Sequence, residues 1–148
     1  MRSISVNMPV GWGQSRIFLF GERAPRDVNT TCSVDHRGSR IIWSTDGAQT
    51  AACDLEHCER ECNELAHIFG ASSSNELLRR WVISESLAKI ANVPILLWIR
   101  SKGLASVSSM SPQEETIFTS DGEKVVEVLT LSLESYVMAF ARVKAERP

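Results

Sequence analysis

The chain has 148 residues, of which 43% are hydrophobic and 23% charged, and its formal charge is -2. That length suits one domain able to bury roughly two-thirds of its unfolded surface, so a core does not require disulfides or metal. The near-balanced charge excludes a field strong enough to draw in nucleic acid or an anionic bilayer by charge alone.

No stretch offers about eighteen consecutive apolar residues, so no membrane span is predicted and a membrane partner is not expected. The first residues lack the apolar run of a secretory leader, since Pro9, Gly11 and Gly13 interrupt them early. The expectation is a soluble cytoplasmic protein whose four cysteines are reduced thiols.

In chain order, Ile4, Val6 and Met8 share one face of a short strand ended by Pro9. The glycines around Trp12 form a loop, and they match neither the dinucleotide-binding nor the P-loop pattern. An apolar run over residues 15–22 reads as a strand. Residues 28–34 and 39–45 read as two more, joined by the turn Asp35-His36-Arg37-Gly38. In the second arm Ile41 and Trp43 face one way, Ile42 and Ser44 the other. Trp12, Trp43 and His36 are the candidate ligand contacts: two aromatic surfaces and an imidazole at a turn. The arginines scattered through this part read as surface charge, and nucleic acid is not expected as a partner.

Residues 51–69 hold three of the four cysteines and two of the three histidines. Their spacing predicts a helix, starting as early as Asp46 and closed by Gly70. On a helical wheel Leu55, Cys58, Cys62, Leu65, Ala66 and Phe69 form a core stripe, with the two cysteines acting as small hydrophobes. Cys53, His57, Glu64 and His67 fall on the opposite, polar face. They are the candidate metal ligands, because Glu-x-x-His spacing on a helix suits a transition metal. One helix supplies too few donors for a closed site, so Cys32, Asp35 or His36 would have to approach that face. No cofactor is expected beyond such an ion. Cys53 beside His57 also has the spacing of a thiol and its base, but the surrounding carboxylates disfavour a thiolate.

Ser73-Ser74-Asn75-Glu76 has capping-box spacing and predicts a second helix running to about Asn92, antiparallel to the first. Residues 94–100 are continuously apolar and predict a buried strand. Residues 101–111 are small and polar and predict an exposed loop. For residues 123–147 one long helix is favoured, with another capping box at Ser120 to Glu123. The β-hairpin alternative rests on the alternation of Leu129, Leu131 and Leu133, and it lacks a Gly, Pro or Asn for its turn.

The expected fold is α+β over a single domain, 1–148: an N-terminal antiparallel sheet packed on a central helix pair, then the long terminal helix. The apolar width of that helix predicts a homodimer. No catalytic centre is recognisable. The chain reads as a small binding or regulatory protein, and the alternative is a metal-binding regulator or metal-assisted hydrolase built on the Cys/His segment.

Overall fold

The structure, a computed structural model, describes residues 3–19, 30–45, 50–59, 61–107, 109–119 and 124–144. It is mixed α+β, with two antiparallel four-stranded sheets. The first contains β1 (Ser3–Val6), β2 (Gln14–Phe18), β3 (Thr30–Val34) and β4 (Arg40–Ser44), in the spatial order β1-β2-β4-β3. The second contains β5 (Ala51–His57), β6 (Gln113–Thr119), β7 (Val125–Leu133) and β8 (Tyr136–Val143), ordered β5-β8-β7-β6. Three helices lie between β5 and β6: α1 (Asn63–Ile68), α2 (Ser74–Ala91) and α3 (Ile95–Lys102).

Side-chain alternation explains the layering. Ile17, Ile41 and Trp43 leave the first sheet on one face and meet Leu55, Leu129, Met138 and Phe140 from the second. The other face of the second sheet presents Val126, Val128, Val137, Ala139 and Ala141, which pack on Leu77, Leu78, Val82, Ile83 and Leu87 of α2. The order is therefore sheet, sheet, helix, and the second sheet is buried on both sides.

The hairpin at Asp35–Gly38 forms as the sequence predicts. Asp35 Oδ1 accepts from the backbone N–H groups of Arg37 (2.9 Å) and Ser39 (2.8 Å), and Gly38 takes a positive φ of 83°. The capping box of α2 also forms: Ser73 Oγ accepts from the Glu76 N–H at 3.1 Å, while Glu76 accepts from the Ser72 N–H. Asn92, left-handed at φ 56°, closes the helix, and Gly70 (φ 68°) follows α1 as expected.

Four expectations are corrected. The helix over residues 51–69 is strand β5 followed by the short α1. β5 is buried on both faces, so its sequence lacks the clean alternation of a half-exposed strand and its apolar positions also fit a helical wheel. Residues 94–100 form most of α3 rather than a strand. Pro94 loses no hydrogen bond at a helix start, and Trp98 N–H closes the first turn on its carbonyl at 3.0 Å.

The terminal helix is the hairpin β7–β8, paired through Leu133 and Tyr136. Its turn contains only Glu134 and Ser135, with Glu134 at φ 53°. The apolar helix surface from which a dimer was expected does not exist. The helices also pack on the second sheet, not on the N-terminal one. The proposed caps at Asp46 and at Ser120 to Glu123 lie outside the described residues.

The segment after α3 is held down more than its composition suggests. Leu104, Ala105 and Val107 pack against the α2 core. Arg80 Nε donates to the Ala105 carbonyl at 2.7 Å, and the buried Arg79 donates to the carbonyls of Ser109 and Ser111. The Arg79-Arg80 pair of the sequence is thus a clamp from α2 onto this segment.

Candidate functional site

The aromatic candidates sit inside the molecule. Trp12 (3% exposed) and Trp43 (0%) stack with centroids 6.1 Å apart, and Phe140 meets Trp43 edge-on at 5.2 Å. Trp43 Nε1 donates to the Trp12 carbonyl at 2.7 Å, and Trp12 Nε1 donates to Glu115 Oε1 at 3.2 Å. The Arg142 guanidinium lies 3.8 Å over the Trp12 ring while bonding Glu127 at 2.9 Å and the Gly11 carbonyl. Gly13 lets this loop close on β4: a Cβ there would stand 2.0 Å from the Ser44 carbonyl oxygen. These contacts account for the Gly-Trp-Gly segment as a joint between the two sheets.

The four candidate metal ligands do not converge. Cys53 (1% exposed) points into the core between the sheets. His57 is buried at the end of β5, while Glu64 and His67 are exposed on α1. Among the described residues no three His, Cys, Asp or Glu side chains gather as a metal would require. Cys32 lies in β3, but its side chain is outside the described set.

The β3–β4 turn does approach β5, as the metal reading required, and it brings a different assembly. His36 Nδ1 is 3.8 Å from Glu56 Oε2, and its ring meets that of His57 edge-on at 6.4 Å. His57 Nδ1 accepts from the Glu59 N–H at 3.1 Å. Its proton therefore sits on Nε2, and Arg37 Nη1, 3.4 Å away, is a neighbour rather than a donor. Tyr136 underlies the ring at 5.1 Å and shares a 3.0 Å hydrogen bond with Ser39. The cluster pins the turn to the second sheet.

Next to it lies a buried charge that the sequence reading missed. Asp54 projects from β5 toward α2, where Lys89 Nζ reaches Asp54 Oδ1 (3.3 Å), Ser33 Oγ (3.2 Å) and the Cys53 carbonyl (2.9 Å). Ser33 also donates to Asp54 Oδ1 at 2.9 Å, and Asp54 Oδ2 has no hydrogen-bond partner among the described residues. Burial pushes the Asp54 carboxyl from 3.8 up to about 7, outweighing Lys89 and the Ser33 hydrogen bond; Glu85 and Glu56 add to the rise. Burial also raises the Cys58 thiol, which makes a reactive thiolate there less accessible.

The one sizeable concavity with an apolar lining among those described lies elsewhere, between α2, α3, β6 and β7. Its volume is about 420 Å³, within the range of small-molecule sites. Leu87, Ile90, Trp98, Leu104, Phe118 and Val126 supply its apolar walls. Lys102, at the end of α3, and Lys124, just before β7, are the charged groups that line it. α3 turns 104° away from α2, and Trp98 and Lys102, one helical turn apart on it, line this wall. The sequence signal for α3 is an apolar run with Trp98 in it, but reading residues 94–100 as a strand and 101–111 as a loop puts Trp98 and Lys102 in different elements. On the far side of α3, Leu96 (74% exposed) and Leu97 (55%) face outward.

Comparison with known proteins returned no matching family, no matching curated protein and no matching solved structure. No single helix among the described residues is long and apolar enough to cross a membrane.

Proposed function

We propose that this chain is a small binding protein whose ligand is an apolar small molecule held between α2, α3 and the β6–β7 edge of the second sheet. The observation that supports this reading is the cavity of about 420 Å³ lined by Trp98, Phe118 and aliphatic side chains. It lies beside the core that α2 forms with the second sheet, against which Trp98, Leu104 and Phe118 pack. The ionisable residues with the most distinctive chemistry, Asp54, His57 and Lys89, are occupied by one another's neighbours and do not line it.

The magnitudes suit reversible binding. Burying ~250 Å² of ligand apolar surface at ~25 cal/mol/Å² yields about 6 kcal/mol before the costs of immobilisation. Affinities of tens of micromolar or weaker follow for a simple apolar ligand.

N-phenyl-1-naphthylamine, an uncharged probe that brightens in apolar surroundings, tests the reading. One saturable site per chain is expected. Ala91→Phe and Ala105→Phe each place a ring in the cavity and should weaken the probe at least about tenfold, with thermal melts confirming that each variant folds. Binding that does not saturate, or that both variants leave intact, contradicts the proposal.

A further inference from the structure

We infer that the ligand is an amphipathic monoanion, its hydrocarbon part lodged in the α2–α3 cavity and its anionic end at Lys102 and Lys124. The inference rests on the cavity being the binding site and adds the chemical class of what enters it.

The wall is chemically asymmetric. The side chains from α2 and the second sheet, Leu87, Ile90, Phe118 and Val126, carry no polar atom. Among the described residues that line it, the charged ones are two lysines, one from the end of α3 and one just before β7. A neutral hydrocarbon would gain nothing from either ammonium, and a cation would be repelled by both. An anion gains modestly from each, since both lysines are exposed. Each lysine already has a partner of its own. An incoming anion therefore adds to or displaces an existing contact, and the expected gain is that of exposed ion pairs. At protein packing density the cavity takes a chain of roughly a dozen carbons. A medium-chain carboxylate fits both the volume and the charge.

Isothermal titration of the full chain with decanoate, 1-decanol and decylammonium separates the two ideas. Decanoate should bind roughly three- to tenfold more tightly than the alcohol, and the amine more weakly than either. Lys102→Gln with Lys124→Gln should bring decanoate to the level of the alcohol and leave the alcohol unchanged. Added salt should weaken decanoate alone. If alcohol and carboxylate bind equally and the double variant changes neither, the anionic assignment is wrong while the cavity reading stands. If the amine binds most tightly, the assignment is also wrong. If none of the three binds, the cavity reading falls and takes this inference with it.

Discussion

At the scale of single residues, Asp54 is where burial and charge are most directly opposed. Its carboxyl titrates at about 7 rather than 3.8 because burial penalises the charged form more than Lys89 and Ser33 favour it. The unfolded chain releases this proton near pH 4, the folded protein near pH 7. Between those values the folded state holds a proton that the unfolded state lacks, so stability falls as pH rises through the window. Glu85, on α2, is shifted in the same direction, also chiefly by burial, and adds to the slope. The upper bound for Asp54 is about 4 kcal/mol, at 1.36 kcal/mol per pKa unit. Asp54→Asn removes the charge and keeps the shape. We expect it to flatten the profile between pH 5 and pH 8 by about 2 kcal/mol and to be the more stable form at pH 8, because Lys89 is partly exposed and keeps two other acceptors. Urea unfolding at the two pH values measures this. An unchanged slope would mean that Asp54 is ionised throughout.

At the scale of elements, the legible parts were those with a local chemical signature. The turn Asp35–Gly38 has a carboxylate to accept two backbone N–H groups and a glycine for the left-handed position, and it forms. The α2 cap has Ser73 and Glu76 at the required spacing, and it forms. The terminal hairpin lacks such a signature. Its turn places Glu134 at φ 53°, the first of two central positions, where a type II′ turn prefers glycine. Packing enforces the turn: Leu129, Leu131, Met138 and Phe140 on one face, Val128, Val137 and Ala139 on the other, are all buried in cores. Tertiary burial therefore overrides an unfavourable local choice, which reading the turn residues alone could not reveal. Relieving it should show: Glu134→Gly is expected to stabilise the protein by up to about 1 kcal/mol, less the added freedom of glycine in the unfolded chain. A chemical denaturation midpoint that moves downward would contradict the strain.

The same cause misplaced β5. A strand covered on both faces carries Cys53 and Leu55 into one core while Ala52, Asp54 and Glu56 turn to the other side. Its hydrophobic positions then fit several periods at once. Which face Cys53 and His57 take depends on the period chosen. α3 departs from the expected strand for the opposite reason: five of its eight residues are apolar, yet none is buried. An apolar run that is only partly covered, through Trp98, is a feature of the assembled molecule, invisible to any window along the chain.

At the scale of the whole molecule, the apolar concavity of about 420 Å³ forms where α3 turns away from α2 instead of continuing it. No segment of the sequence contains that cavity. Its walls come from residues 87 to 126, across two helices, the clamped segment and two strands. Of the candidate residues legible in the sequence, Trp12, Trp43, His36, Cys53 and His57 serve in the structure to join its layers, while Glu64 and His67 lie exposed on α1. Ligand is proposed to enter at the α2–α3 cavity and not at those residues. Proton–nitrogen correlation spectra of the labelled protein, titrated with N-phenyl-1-naphthylamine, address it directly. The account predicts that the Trp98 indole signal moves together with the backbone signals of Leu87, Ala105 and Phe118, while the indoles of Trp12 and Trp43 stay in place. Shifts centred on Trp12, Trp43 and His36, with Trp98 unmoved, would contradict it.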